Sequence, residues 1–274
     1  MENSTGCCAT GNAAPDQYKP KGRFTRLGEL NVYISSAGQN KSSKDVLLVL
    51  PDGFGLAKHN LIMADLFAEH LGVQTIVPDY YEGDPLPLVI LKYKPIFGVA
   101  IEDHDWPEDI KTQIRNVNIE QWLTKHPHDR VSELLRDLVI EIRSDNPDAE
   151  FLGVGYCFGG KHVFRMAKQY LKVAASFHPS YLTQEDVKDI QVPVYVGLAG
   201  DDEMVPTSLA DDLKSWTHQE RVQATLEIYP GMSHGFAARP DTQDPAVRTQ
   251  YERALKTAVS FLGRSILTQT TTAS

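Results

Sequence analysis

The stretch "VGYCFGG" (154–160) places one cysteine, Cys157, between Gly155 and Gly159. A glycine–x–nucleophile–x–glycine pattern has a physical reason. A nucleophile on a sharp strand-to-helix turn takes strained backbone angles, and side chains two residues to either side would collide with neighbouring elements. The sulfur then stands at the start of a helix, where free N–H groups and the positive end of the dipole face a thiolate or an oxyanion. The N–H of Phe158 is the expected first oxyanion donor. The alternative is a buried structural thiol in a glycine-softened bend, so the partners decide.

In the nucleophile-elbow arrangement of hydrolases, an acid and then a histidine follow in chain order, each on a loop after a later strand. "AGDDEMVP" (199–206) follows a predicted strand at 192–198 and offers Asp201 or Asp202. "GMSHGFAAR" (231–239) follows a predicted strand at 224–230. Its His234 lies among small residues that let an imidazole swing over the sulfur. The other eight of the nine histidines fall on helices, at a strand end, after the cysteine turn or in an irregular insert. The roles would be Cys157 as nucleophile, His234 as base and then acid, and one aspartate holding the imidazole tautomer.

These residues need a scaffold of parallel strands. "DVLLVL" (45–50) reads as a fully buried strand ending at Pro51-Asp52-Gly53. "VQTIVPD" (73–79), "AEFLGVG" (149–155) and "VAASFH" (173–178) add to the two strands already named. Helical patterns lie between them: 59–71, with Leu61, Leu66, Phe67 and His70 near one face; a stripe from Val131 to Ile142 with Asp129 as N-cap; and 159–171. A closing helix over 245–263 is expected to end at Gly263. The alternation predicts one α/β domain with helices on both faces of a mostly parallel sheet. It spans 21–264, between flexible tails at 1–20 and 265–274. Residues 84–127, rich in proline and aromatics, break the pattern and read as an irregular, partly helical insert.

Bulk properties narrow the function classes. The 274 residues carry a formal charge of −9, which argues against non-specific nucleic-acid binding and against an anionic membrane surface. No basic stretch leads into an apolar core at the N-terminus, so no signal peptide or membrane span is read. Cys7, Cys8 and Cys157 form no disulfide framework, and a reducing, cytoplasmic compartment is expected.

"VGYCFGG", "DDEMVP" and "GMSHGF", with "LPDGFGL" and "VPDYYEGD", resemble the dienelactone hydrolase (carboxymethylenebutenolidase-like) family of α/β-hydrolases, in its eukaryotic, fungal form. The resemblance runs from about residue 22 to 264. It implies an α/β-hydrolase fold and a Cys157–His234–Asp202 hydrolase of lactones or small esters, working through a thioester without cofactor or metal. It also implies a second oxyanion donor, the N–H of Gly53, and a carboxylate, Asp52, paired with the resting thiol. Tyr81, Tyr156, Phe236 and Arg239 are the expected substrate contacts.

Two departures bear on substrate. Gly83 and Ala238 stand where the bacterial enzymes hold a carboxylate with arginines, so dienelactone itself is not the expected substrate. The aromatic insert would instead suit a larger lactone or an aromatic, polyketide-like ester of secondary metabolism, unless Trp106 and Trp122 only anchor it. The expected partner is such a small molecule, with assembly as a homodimer left open.

Other readings fit less well. An amidotransferase-like enzyme expects a histidine and an acid two apart, whereas Gly235 and Phe236 follow His234. No G-x-G-x-x-G opens a helix after the first strand, against a dinucleotide enzyme. "EDHDWPED" reads as a solvated acidic loop rather than a metal site. A binding protein that retains the fold without turnover is the non-enzymatic alternative.

Overall fold

The six residues of "DVLLVL" form a strand that is buried along its whole length, because the sheet around it is covered on both faces. In the computed structural model, which describes residues 17–36, 43–94 and 100–267, the strands are β1 (Arg23–Leu27), β2 (Leu30–Ser35), β3 (Asp45–Leu50), β4 (Gln74–Pro78), β5 (Glu150–Tyr156), β6 (Leu171–Phe177), β7 (Val194–Ala199) and β8 (Ala224–Tyr229). Their order is β1-β2-β4-β3-β5-β6-β7-β8. β2 runs antiparallel to both β1 and β4, and every pairing from β4 to β8 is parallel.

The helices are α1 (Lys58–Leu71), α2 (Val89–Tyr93), α3 (Glu108–Arg115), α4 (Ile119–Lys125), α5 (His128–Asp145), α6 (Phe158–Ala167), α7 (Gln184–Val187), α8 (Leu209–Gln219) and α9 (Pro245–Leu267). Strand alternation divides the core in two. Val46, Leu48 and Leu50 of β3 join the layer under α5, α6 and α8, and Leu47 and Val49 join the layer under α1 and α9. Each such aliphatic side chain contributes roughly 1.5–3 kcal/mol on burial. Among the described residues no helix is long and apolar enough to cross a membrane.

Several local expectations change. β1 and β2 are additions; the charged "RFTRL" of β1 is an edge strand whose exposed residues hide the alternation. His70 is exposed, since Met63, Ala64 and Ala68 share the buried face with Leu61 and Phe67. Pro127, extended in backbone, caps α5, and Asp129 lies in its first turn, paired with Arg165 at 2.9 Å. α9 passes through Gly263 and continues to Leu267. The Tyr18 hydroxyl donates to the Asp65 carboxylate at 2.6 Å, which ties the chain to α1 inside the expected N-terminal tail. Cys7, Cys8 and residues 268–274 lie outside the described residues.

The expected insert holds α2, a single 3-10 turn at Ile101–Asp103, α3 and α4. Trp122 anchors it: the buried ring packs on Tyr81 and Phe158 outside the insert, and its Nε1–H donates to the Asp84 carbonyl at 2.8 Å. Within "EDHDWPED", His104 stacks on Trp106 at 3.8 Å and Glu102 pairs with Arg115 at 2.9 Å.

Candidate active site

Cys157 follows β5 directly and precedes the first residue of α6, with φ +53° and ψ −118°. That strained conformation is held by close packing around it. A Cβ added at Gly155 would lie 2.2 Å from the Gly159 carbonyl oxygen, and one at Gly159 would lie 2.2 Å from the Leu50 carbonyl oxygen. Both obstacles are backbone and cannot swing aside. Gly159→Ala is therefore expected to destabilise the fold by about 3 kcal/mol or more. Chemical denaturation of the folded protein would read this, and a loss within about 0.5 kcal/mol would mean that the turn yields.

Asp202 follows β7 and His234 follows β8, so all three side chains meet at the C-terminal rim of the sheet, where open α/β sheets place their sites. The His234 Nδ1 contacts both Asp202 oxygens, at 2.8 and 3.1 Å. The Cys157 sulfur lies against the same ring. Burial alone would push the imidazole down, but the adjacent Cys157 sulfur and the Asp202 carboxylate raise it to about 10. The protonated ring is thus favoured by the sulfur on one side and the Asp202 carboxylate on the other. Of the two candidate aspartates, Asp202 is the one that reaches His234; Asp201 uses its N–H on the Met232 carbonyl, 2.9 Å away.

Asp52 does not take the place expected beside the thiol. It is wholly buried, accepting from Asn60 Nδ2 at 2.9 Å and the Phe54 N–H at 3.1 Å, with His59 Nε2 3.0 Å away and the Arg239 guanidinium against its other oxygen. Burial would raise its carboxyl, but His59 and Arg239 hold it well below the usual carboxylate range. A short carboxylate beside a buried guanidinium and an imidazole settles on those two groups. The sulfur instead meets His234 and Ser180, whose Oγ is 3.4 Å from Sγ.

Three of the four expected substrate contacts fall elsewhere. Tyr156 points by strand parity into the layer under α1 and α9 and stacks on Phe177 at 5.7 Å. Phe236 packs in that same layer, between Tyr229 and His178. Arg239 is 1% exposed and spent on Asp52. Tyr81 alone stands on the site's side of the sheet. Its ring packs against Trp122 at 4.8 Å and Phe158 at 5.5 Å, and its buried hydroxyl makes no hydrogen bond of normal geometry among the described residues. A Cβ on Gly53 would meet Leu86 at 2.7 Å and Trp122 at 3.6 Å. Tyr81, Trp122, Phe158 and Leu86 therefore wall the turn after β3, next to the expected oxyanion donors. A separate cavity of 760 Å³ borders His59 and Arg239, with no triad residue in its walls.

Sequence reasoning missed His59 and Asn60, which brace Asp52 from the first turn of α1, and the segment after β6. There His178, with φ +38°, lays its buried ring edge-on to His234 at 4.7 Å. An i, i+1 polar pair opening a helix seven residues beyond Asp52 was the available signal for the first two. "HPS" after a strand carries none.

A family model described as "Dienelactone hydrolase family" matches residues 31–266. The chain is 27% identical over 260 residues to "Hydrolase pyvD" of Aspergillus violaceofuscus, covering 94% of this chain and 95% of that protein. It is 22% identical to "Dienlactone hydrolase 1" of Gibberella moniliformis, covering 93% and 92%. Among solved structures, a putative dienelactone hydrolase from Klebsiella pneumoniae superposes with a TM-score of 0.61 at 17% identity, covering 85% of this chain and 96% of that one. At that identity the superposition speaks for the fold alone.

Proposed function

The chain belongs to the dienelactone hydrolase family and is a hydrolase of esters or lactones, and on that premise we propose that it works through a thioester on Cys157, with aromatic acyl groups as preferred cargo. The observation that carries the mechanism is the convergence of Cys157, His234 and Asp202 at one rim of the sheet. The thiolate lone pair attacks the acyl carbon, and the carbonyl π electrons move onto oxygen. The N–H groups of Phe158 and Gly53 receive that oxyanion. As the tetrahedral species collapses, the C–O bond breaks and the His234 imidazolium gives its proton to the departing alkoxide, which in a lactone stays tethered. His234, now neutral, takes a proton from water as the water attacks the thioester. Cleavage of the C–S bond then returns the thiolate and the acid product. Asp202 keeps the ring in one tautomer throughout.

The buried Tyr81–Trp122–Phe158 cluster gives the turn after β3 an aromatic lining, which supports an aromatic or polyketide-derived substrate. A cytoplasmic role in secondary metabolism is compatible with this reading. Initial rates over a panel of p-nitrophenyl acetate, butyrate and benzoate and an aromatic lactone test it. Benzoate is expected to exceed acetate in kcat/KM by about tenfold, the worth of one ring's stacking and burial. No turnover of any ester by folded protein would overturn the mechanism, and a preference for acetate would overturn the aromatic assignment.

A further inference from the structure

We propose that the Ser180 hydroxyl is a catalytic hydrogen-bond donor to the Cys157 sulfur, stabilising it first as the attacking thiolate and again as the leaving group when the thioester is hydrolysed. The inference rests on Cys157 being the nucleophile. Ser180 lies just after β6, is 1% exposed, and holds its Oγ 3.4 Å from Sγ. Its position is fixed from both sides of the elbow. The Ser180 N–H donates to the Cys157 carbonyl at 3.1 Å, and the Cys157 N–H donates to the Phe177 carbonyl at 3.2 Å. Behind them Gly160 is pressed on Pro179, where an added Cβ would stand 2.9 Å from the Pro179 Cα. The segment from Phe177 to Ser180 therefore moves with the nucleophile or not at all.

The chemistry gives this contact a direction. A thiolate has no proton to offer, so the bond forms only with the serine O–H donating. An ionised carboxylate accepts and cannot donate, so Asp52 would have repelled the thiolate where Ser180 stabilises it. Once the acyl group is on sulfur the charge is gone and the bond weakens. It strengthens again as the C–S bond breaks, which makes it an interaction of the transition state rather than of the resting thioester. The hydroxyl proton stays on Ser180 throughout. Besides His234, Tyr80 and Tyr81 from the loop after β4 face the sulfur, with Asp52 acting on both tyrosines.

The test is the pH profile of iodoacetamide labelling at Cys157, followed peptide by peptide in the wild type, Ser180→Ala and Ser180→Thr, alongside steady-state ester hydrolysis. Ser180→Ala is expected to move the labelling midpoint up by about one pH unit, so that labelling below the midpoint slows about tenfold while the plateau is kept. Its kcat falls by about tenfold with KM within about twofold, and Ser180→Thr restores both. Should the alanine variant not fold, Ser180→Gly replaces it with the same expected midpoint shift. An unmoved midpoint, or an equal loss of rate at every pH, assigns Ser180 a structural part and overturns the proposal. Absence of Cys157 labelling in the wild type at any pH would overturn the nucleophile itself, a failure distinct from an unmoved midpoint.

Discussion

Replacing Cys157 with alanine is expected to lower p-nitrophenol release from a short acyl ester by at least about 10⁴-fold, with the fold retained. The effect is large because every bond-making step passes through this sulfur, and no other described nucleophile shares its place at the head of α6 beside His234. Ser180 is close, but its hydroxyl is turned to the sulfur, and among the described residues no base is hydrogen-bonded to it. Alanine removes the thiol without adding volume, and the glycines that hold the turn remain, so circular dichroism should be unchanged. Cys7→Ala and Cys8→Ala should leave turnover intact. Comparable activity in the Cys157 variant would end its assignment.

The second large effect is at His234. His234→Gln is expected to reduce kcat by about 10³–10⁴-fold, since the leaving alkoxide takes a proton from this ring and the attacking water gives one to it. Wild-type kcat/KM should fall on an alkaline limb near pH 10, where the raised imidazolium loses that proton. The same shift acts on stability. A histidine whose folded value lies above its unfolded value of about 6.5 stabilises fully below that pH. The contribution is lost as the pH rises through about 10. His234→Gln should therefore flatten the decline of Tm between those limits. A wild-type profile whose alkaline limb lies near neutrality would contradict the imidazolium assignment.

The parts of the site legible in the sequence were those where backbone geometry restricts residue type. Gly155 and Gly159 announce the elbow because nothing larger fits against the Gly159 and Leu50 carbonyls. Asp202 could be placed because it follows the buried apolar run of β7, and His234 because it stands among small residues after the β-branched and aromatic residues of β8. The parallel layers were legible for the same reason, as β3 shows. What stayed hidden depended on side-chain partners far apart in the chain. Asp52 is drawn from the thiol by Arg239, 187 residues away, and by His59 on the next helix. Tyr156 illustrates the opposite lesson. Its strand parity with Leu152 and Val154 already put it on the far face, although it stands next to the nucleophile in the chain. Ser180 gave no periodic signal at all, since a lone serine in a loop satisfies no pattern until the fold brings it to the sulfur.

The most direct measurement is acid-quenched turnover of an aryl ester followed by peptide mass spectrometry. The mechanism predicts a single acyl mass increment on the peptide holding Cys157, accumulating within the first turnover and lost on hydrolysis. An increment on Ser180 or any other residue, or none at all while product forms, would contradict it.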